Sequence, residues 1–368
     1  MIVHVRRLRF VFDMPHGDKF VGGVAWMVNR YMDHAKQFNQ CGFTPDVIDL
    51  SEYNVWYPGM RKMSNILNMF RQSAGVLKKI KENPDVDLHV HSSMKWTLAK
   101  DCYIMARARK RIRGKICLTI HHAVPSNFFY GRIGEKIGLW VIRNKVDKLV
   151  VLSESTRLYF LEQGISPEKV MTQYTFHDIV VDEQAVTRGD EERQEANLVY
   201  MGTISRKKGV FELVEAVRTL KDKSMVVHMC GTFPDRQMED EFRAAISGAE
   251  EQFVLHGYVN GEEKRQILEQ ADIMVLPSYA EGMPVSIMEG MACGCAIVST
   301  TVGAIPEVIG AENGVLVAPG NSAALADAIR GLLQNRERLA NTQKENRTVS
   351  AKFTAEKHIA DLAEFISR

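Results

Sequence analysis

Residues 271–309, ADIMVLPSYAEGMPVSIMEGMACGCAIVSTTVGAIPEVI, alternate short apolar runs with polar turns. The run 273–276 predicts a buried strand. Gly282-Met283-Pro284 then predicts the start of a helix, because proline suits a first helical turn whose N–H groups lack partners. Gly294 ends that helix before a second strand over 296–299. The stretch therefore predicts the strand–helix–strand unit of a parallel sheet.

The same alternation runs along the whole chain and predicts its organisation. Strands are predicted over 2–12, 44–50, 86–91, 115–121, 147–152, 197–202, 224–230, 252–256, 272–276, 295–299 and 314–317, with helical periodicity between them. This pattern favours parallel sheets covered on both faces. Since 368 residues exceed one core, and 178–197 is polar and aperiodic, we predict two Rossmann-like α/β domains. These are residues 1–182 and 183–352, with a last helix over 353–368 free to pack back on the first.

Composition excludes several classes of protein. The chain is 45% hydrophobic and 25% charged without a biased tract, which excludes disordered, collagen-like and coiled-coil proteins. No run reaches the ~18 apolar residues of a membrane span. Arg6, Arg7 and Arg9 interrupt the first apolar run, so no signal peptide is predicted. Six scattered cysteines without metal or disulfide spacing favour a reducing cytoplasm.

Two carboxylates in the opening stretch are candidates for ligand binding. Glu281 precedes the predicted helix and Glu289 lies eight residues later, so together they could address two ends of an elongated ligand. The N–H groups and dipole of the helix start favour a phosphate or a sugar hydroxyl. Each glutamate alone also fits a simpler role, Glu281 as a partner of the helix dipole and Glu289 as a solvated residue.

Together, these residues resemble a known family. The pattern Glu281-(seven residues)-Glu289, with the surrounding glycines and prolines, resembles the retaining glycosyltransferases of family 4, which adopt the GT-B fold. Further matching motifs are Tyr200-Met201-Gly202, Lys208-Gly209, Asn313-Gly314, Pro319-Gly320-Asn321, Gly22-Gly23 and Thr119-Ile120-His121. The resemblance implies two Rossmann-like domains whose parallel sheets face each other across a cleft. It places the donor in the second domain and the acceptor in the first.

The resemblance also implies residue roles. Glu289 would hold the ribose hydroxyls of a nucleotide, Glu281 the hydroxyls of the donor sugar, and Lys208 the diphosphate. His121 matches the active-site histidine of the family, with its neighbour His122 as the alternative. His121, Glu281 and Lys208 are thus the implied catalytic residues. The other implied donor-binding positions are Gly22, Gly23, Thr203, Arg206, Lys207, His256, Tyr258, Val259, Gly282, Met283, Pro284 and Val285.

Two features depart from the family or from its simplest pattern. Many members have an arginine where this chain has Thr203, which leaves the diphosphate one cation short unless Arg206 or Lys207 reaches back. His89 and His91 share one face of a predicted strand, as zinc ligands could, but no third ligand is visible, and buried structural histidines are the commoner interpretation. We therefore predict no metal and no cofactor, with a UDP- or GDP-sugar as donor substrate.

The net charge of +2 hides an asymmetry between the two halves. Residues 1–180 carry 27 Lys and Arg against 16 Asp and Glu, whereas residues 181–368 carry 20 against 29. The basic half fits a solvated face, or an attraction to an anionic membrane surface. Family members that act on lipid-linked acceptors favour the membrane. Nucleic acid is not predicted as a partner, because no base-reading motif accompanies the charge.

These features predict a metal-independent, retaining glycosyltransferase of the cytoplasm, free or peripheral at the inner face of the plasma membrane. It would move a hexose or N-acetylhexosamine from a nucleotide-diphospho-sugar to a saccharide or lipid-linked acceptor in glycan biosynthesis. The alternatives are a nucleotide-sugar epimerase, a phosphorylase-like enzyme of the same fold, and a catalytically silent nucleotide-sugar-binding protein.

Overall fold

The computed structural model describes residues 6–12, 23–50, 61–123, 128–180 and 195–368. The chain divides into two compact units. The first comprises Met1–Tyr174 with Ala355–Arg368, and the second comprises Thr175–Thr354. The division thus comes earlier in the chain than the boundary at 182/183 expected from the polar segment.

Within the described residues, the first unit is built on a sheet of six parallel strands in the order β2-β1-β3-β4-β5-β6. Its strands are β1 Arg6–Phe12, β2 Phe43–Asp49, β3 Val86–Ser92, β4 Ile116–Ile120, β5 Lys148–Val151 and β6 Val170–Thr172. Its helices, up to residue 174, are α1 Gly23–Asp33, α2 Ala35–Gln40, α3 Arg61–Glu82, α4 Trp96–Ala108, α5 Gly131–Lys145 and α6 Glu154–Glu162.

The centre of this sheet is fully buried. Every residue of β3 and of β4 is buried, which is why these segments read as continuous runs rather than as alternating ones. Their apolar side chains share one core with those of α3, α4 and α5. Two histidines of β3, His89 and His91, lie inside this core.

The described residues of the second unit form another sheet of six parallel strands, in the order β12-β11-β10-β7-β8-β9. Its strands are β7 Ala196–Met201, β8 Met225–Cys230, β9 Phe253–Gly257, β10 Ile273–Leu276, β11 Ala296–Thr300 and β12 Gly314–Val317. Its helices are α7 Val210–Leu220, α8 Arg236–Ala245, α9 Gly261–Gln270, α10 Val285–Ala292, α11 Ile305–Val308, α12 Ser322–Leu333 and α13 Arg336–Ser350. The predicted α/β class with two Rossmann-like sheets is confirmed.

The order of the second sheet reverses between β7 and β10. The chain builds outward from β7 through β8 to β9, then returns to the other side of β7 with β10, β11 and β12. In open α/β sheets, ligands bind outside the carboxyl ends of the strands at such a reversal. The segments that follow β7 and β10 are therefore the first place to look for a site.

The last helix, α14 (Ala355–Ser367), belongs to the first unit. Nε2 of His358 lies 2.7 Å from the hydroxyl of Tyr31, and Nε2 of Gln173 donates to the carbonyl of His358 over 2.7 Å. Lys115 Nζ donates to the carbonyls of Ile366 and Ser367. Across the described ranges, no helix is both long and apolar enough to cross a membrane.

Candidate functional site

A salt bridge lies where the order of the second sheet reverses. Lys208 follows β7 and Glu281 follows β10, and Nζ of Lys208 lies 2.5 Å from Oε1 of Glu281. The Glu281 side chain is 9% exposed and that of Lys208 is 29% exposed. A carboxylate and an ammonium group therefore meet, largely out of water, at the carboxyl ends of the two central strands.

Gly209 brings the segments after β7 and β10 together. Its φ of 71° is left-handed, and a Cβ atom at this position would lie 2.0 Å from the carbonyl oxygen of Pro277. The amide of Tyr279 then donates to the carbonyl of Lys207 over 3.0 Å. Because the two backbones touch, Lys208 is held beside the loop that carries Glu281.

The loop around Glu281 is fastened from its other side by residues at and after the end of β11. The hydroxyl of Thr300 donates to the carbonyl of Ser278 over 2.6 Å, and the amide of Ala304 donates to the carbonyl of Gly282 over 2.8 Å. The carboxylate thus projects from a loop whose backbone is fixed before and after it.

Helix α10 begins directly beyond this loop. Pro284 occupies the N-cap position with φ −67° and ψ 127°, and the first helical residue is Val285. The proline therefore precedes the first turn that the sequence assigned to it. Met283 is 4% exposed, and its carbonyl accepts a hydrogen bond from the hydroxyl of Thr175. This contact fixes the direction from which the chain enters α10.

Glu289 lies on α10 and is buried rather than solvated. It is 3% exposed and forms a salt bridge with Lys264 of α9, whose side chain is 14% exposed. The interpretation of Glu289 as a solvated helix residue is therefore wrong. Sequence reasoning missed Lys264, because nothing in the spacing of 25 residues indicates that the two side chains meet.

The end of β9 carries three further predicted donor-binding residues. Nε2 of His256 lies 2.9 Å from Nδ1 of His228, and burial followed by the proximity of His256 lowers the pKa of His228. Tyr258 is 61% exposed and Val259 is buried. Tyr258 can therefore contact a ligand with its ring, whereas Val259 can do so only through its backbone.

The basic turn after β7 divides its cations. Arg206 donates to Glu241 of α8 over 2.8 Å, and its guanidinium carbon lies 4.4 Å from the centre of the Phe211 ring. It therefore does not share Glu281 with Lys208. The carbonyl of Thr203 accepts a hydrogen bond from the hydroxyl of Tyr200, and burial raises the pKa of Tyr200 well above its usual value, with the charge of Glu281 adding to it.

In the first unit, His121 follows β4 at the carboxyl edge of the sheet. Its amide donates to the carbonyl of Ser92, and its Nε2 lies 2.8 Å from Nδ1 of the buried His91. Burial lowers the pKa of His121 to about 4. The ring of the neighbouring His122 lies edge-on to Phe128, so the two candidate histidines have different surroundings.

Three more predictions from the sequence concern this unit. Gly22 lies outside the described residues, and Gly23 is the first residue of α1. His89 contacts Thr119 through Nε2 at 2.7 Å and stacks near His91. Among the residues that the structure describes, no group of three or more histidine, cysteine or acidic side chains is placed to hold a metal ion.

Comparison with known proteins matches the second unit to one family. Residues 195–335 match the family model described as glycosyl transferases group 1. Residues 195–335 form a group 1 glycosyl transferase domain. The matched segment begins one residue before β7 and contains both salt bridges, Lys208–Glu281 and Lys264–Glu289.

Sequence relatives match this group 1 glycosyl transferase domain. An alpha-maltose-1-phosphate synthase of Mycobacterium tuberculosis (strain CDC 1551 / Oshkosh) is 32% identical over 37% of this chain and 38% of its own length. An N,N'-diacetylbacillosaminyl-diphospho-undecaprenol alpha-1,3-N-acetylgalactosaminyltransferase of Campylobacter jejuni is 34% identical over 37% of this chain and 35% of its own. The chain thus spans about a third of the length of these curated relatives.

Solved structures match both units. The sucrose-phosphate synthase of Thermosynechococcus elongatus has a TM-score of 0.75 at 18% identity and covers 98% of each chain. Anabaena Alr3699/HepE in complex with UDP-glucose has a TM-score of 0.72 at 15% identity, covering 97% of this chain and 98% of its own. At these identities the likeness concerns the fold alone, and it confirms the predicted GT-B class.

Proposed function

We propose that the protein is a retaining glycosyltransferase that takes a sugar from a nucleotide-diphospho-sugar and acts in polysaccharide or glycan biosynthesis. One observation carries the proposal. The Lys208–Glu281 salt bridge lies at the reversal of strand order inside the segment that matches group 1 glycosyl transferases. A fixed cation suits a leaving diphosphate, and a fixed carboxylate suits sugar hydroxyls.

In this proposal, bound donor replaces the contact between the two side chains. The ammonium group of Lys208 turns from Glu281 to the diphosphate, and Glu281 accepts hydrogen bonds from the sugar. Glu289, at the other end of α10, accepts from the ribose hydroxyls and shares its charge with Lys264. The spacing of the two carboxylates along α10 then measures the length of the donor.

The transfer step needs negative charge to be stabilised on the departing diphosphate. The bond between the anomeric carbon and the phosphate oxygen breaks, and the acceptor oxygen bonds to the same face of that carbon. The acceptor proton passes to the leaving diphosphate. Lys208 and the positive end of α10 supply positive charge at this point, which supports a reaction without a metal ion.

The relatives support a hexose-type donor and a saccharide or lipid-linked acceptor. The Anabaena protein was crystallised with UDP-glucose, and the Campylobacter enzyme is named for transfer of N-acetylgalactosamine to a diphospho-undecaprenol sugar. We propose that this chain likewise uses a UDP- or GDP-sugar. We place the acceptor on the first unit, and the protein in the cytoplasm or at the inner face of its membrane.

A donor screen followed by product analysis tests the proposal. UDP- and GDP-hexoses are ranked by the rise in melting temperature, since a ligand of the native state stabilises it. The best donor is then incubated with saccharide and polyprenyl-diphosphate-linked acceptors, with and without a chelator. NMR should show a product with the anomeric configuration of the donor, at a rate that the chelator leaves unchanged.

Two variants and one control locate the activity. Glu281→Gln and Lys208→Gln should each lower kcat at least about a hundredfold while the protein stays folded. Glu345→Gln, an exposed carboxylate on α13, should leave kcat unchanged. Near-normal turnover in Glu281→Gln would overturn the site. An inverted product, or a donor epimerised without acceptor, would overturn the reaction.

A further inference from the structure

The outer surface of α3, α4 and α5 carries a concentration of exposed apolar side chains. The three helices pack side by side, α3 against α4 and α4 against α5. Twelve large apolar side chains are exposed in the described residues, and seven of them lie on α3, on α5 or directly before α5. These seven are Ile66, Leu67, Phe70, Tyr130, Ile133, Ile137 and Trp140. A cluster of this kind marks an interaction surface, whereas single exposed residues do not.

Helix α5 shows the pattern most clearly. Ile133, Ile137 and Trp140 follow the spacing of one helical face and are 77%, 59% and 53% exposed. The other side of the helix already buries Leu139 and Ile142 in the core. The core therefore accounts for one apolar face of α5 and leaves the second without an explanation.

Positive charge borders these apolar residues. A groove of about 440 Å³ runs between α3 and α4, with Phe70 and Leu77 among its apolar lining. Four cations also line it: Lys78, Lys81, Arg107 and Arg111. Among the described residues none of these four forms a salt bridge, whereas the nearby Arg109 pairs with Asp147.

A simpler explanation accounts for part of this charge. Lysine and arginine are favoured at helix C-termini by the helix dipole, and the four cations lie near the ends of α3 and α4. The dipole does not explain the apolar faces beside them. It also does not explain Ser73, which lines the groove, is 2% exposed, and has a hydroxyl without a hydrogen-bond partner in the described part of the chain.

We infer that the surface of α3, α4 and α5 docks on an anionic phospholipid bilayer, with the groove holding a lipid phosphate. The four cations meet the phosphates, Ser73 donates to a phosphate oxygen, and the apolar side chains enter the upper acyl region. Trp140 suits that depth because its ring is apolar and its N–H is polar. The inference concerns the first unit and does not depend on the proposed sugar transfer.

Vesicle binding of the full chain tests this docking. Vesicles of phosphatidylcholine alone should bind weakly, and vesicles that also contain phosphatidylglycerol should bind strongly. The double variant Arg107→Gln/Arg111→Gln should weaken binding about 25-fold, since each basic residue near anionic lipid contributes about fivefold. Lys344→Gln/Lys352→Gln removes the same charge from exposed positions of the second unit and should change binding less than twofold.

An apolar variant and a competitor complete the test. Ile133→Ser/Ile137→Ser changes two exposed side chains, so it should keep the melting temperature and still weaken binding. Inorganic phosphate at the concentration of the vesicle headgroups should not compete. Equal loss in the two charge variants would overturn the inference, as would binding that ignores phosphatidylglycerol or full competition by phosphate, which would indicate a free-anion site.

A second inference comes from the histidines beneath His121. Burial lowers the pKa of His89 to about 3, and the pKa of His91 well below its usual value, so both rings are neutral near pH 7. A neutral ring carries one proton, on one of its two nitrogens. Nδ1 of His89 and Nε2 of His91 are buried and have no partner among the described residues.

This pattern of contacts selects a tautomer for each ring. A buried N–H without a partner is rarer than a bare acceptor, so each proton belongs on the nitrogen that has a contact. His91 then donates from Nδ1 to Nε2 of His121 over 2.8 Å. His121 consequently keeps its own proton on Nδ1. The geometry points to His91 as a positioning residue that makes His121 an Nδ1–H donor toward a ligand beyond β4.

Nitrogen-15 NMR of the histidine rings tests this second inference without any assay of transfer. His121, assigned by its loss in His121→Gln, should show a protonated Nδ1 and a bare Nε2. His91→Asn keeps an N–H near the position of Nδ1 and should preserve that tautomer, whereas His91→Leu should give a mixture. A protonated Nε2 in the unmodified protein would overturn the inference, even if His91→Leu fails to fold.

The kinetic consequence rests on the proposed function and separates from it. With transfer established, His91→Leu should lower kcat about tenfold with little change in KM for the donor, and His91→Asn should restore most of the rate. Absence of transfer in the unmodified protein would count against the proposed function alone. Equal kcat in the two variants, with transfer present, would show that the tautomer of His121 does not matter to the rate.

Discussion

At the carboxyl ends of its strands, the second unit holds charged pairs, whereas the first holds neutral histidines. Lys208–Glu281 and Lys264–Glu289 are shielded from water and each charge has a partner. His91 and His121 share a hydrogen bond between uncharged rings. Two sheets with the same parallel construction thus support different electrostatics at the same edge, so the chemistry of each unit depends on the residues after its strands.

The strand orders sharpen this contrast. The second sheet reverses between β7 and β10, and the first reverses between β1 and β3. The first reversal therefore adjoins the segment 13–22, which follows β1 and lies outside the described residues. In the second unit both segments at the reversal are described, and they carry Lys208 and Glu281.

The largest effect should come from breaking a charged pair of the second unit. Glu289→Leu leaves Lys264 largely buried and unpaired, and should cost about 4 kcal/mol of the free energy of unfolding. The double variant Glu289→Leu/Lys264→Leu should recover most of this loss, because no lone charge remains. Urea unfolding followed by far-ultraviolet circular dichroism measures both.

An exposed pair on α9 provides the control for that comparison. Arg265 and Glu262 lie in the same unit, and the Glu262 side chain is 60% exposed. Glu262→Leu should change stability far less than Glu289→Leu. Equal effects in the two variants would mean that burial does not distinguish the pairs.

The next largest effect is an acid dependence in the first unit. His121 has a usual pKa of 6.5 and a folded pKa of about 4, so between these values the unfolded chain binds a proton that the folded unit does not. Stability should therefore fall as the pH drops below 6.5, and His121 alone should account for about 3 kcal/mol by pH 4.

Tryptophan fluorescence isolates this effect, because all four tryptophans of the chain lie before residue 175. Denaturant midpoints at pH 7 and pH 5 should differ less in His121→Gln than in the unmodified protein. The same pH slope in both would show that His121 is not neutral in the folded unit.

A smaller effect should follow from separating the two loops that Gly209 joins. Gly209→Ala adds a Cβ that meets the carbonyl of Pro277 in a left-handed conformation, and should cost about 2 kcal/mol. Gly248→Ala has the same kind of conformation with no atom within 4 Å, and should cost about 1 kcal/mol. Calorimetry of both variants gives the difference, and a larger loss at Gly248 would contradict the role of the close contact.

The smallest effect concerns the basic turn. Arg206 is bound to Glu241 on the surface of the second unit, with its side chain 67% exposed. Arg206→Gln should therefore change kcat/KM for the donor by no more than about twofold. A loss near that of Lys208→Gln would show that Arg206 leaves Glu241 for the diphosphate, as the threonine at position 203 had suggested.

Much of the fold could be predicted from local patterns. The predicted strands agree with those observed to within one or two residues from 43 onward, because buried parallel strands give continuous apolar runs between turn residues. The three-residue strand β6 was missed, since so short a run has no periodicity. Helical periodicity over 24–39 did not show the break between α1 and α2 near His34.

The candidate site was less accessible to such reasoning. Glu281 and Lys208 lie within recognisable motifs, and the structure brings them together. The partners Lys264 and His91 approach Glu289 and His121 through tertiary packing, over 25 and 30 residues of sequence. No local period or spacing encodes contacts of that kind, so they required the structure.

The return of α14 to the first unit has a consequence for synthesis on the ribosome. Tyr31 and Lys115 find partners in Ala355–Ser367, which emerges from the exit tunnel only after all of the second unit. The second unit can therefore close while the chain is still growing, but the first must wait with one side uncovered. Chaperones that bind nascent chains should accordingly recognise the first-made half of this protein for longer than the half made after it.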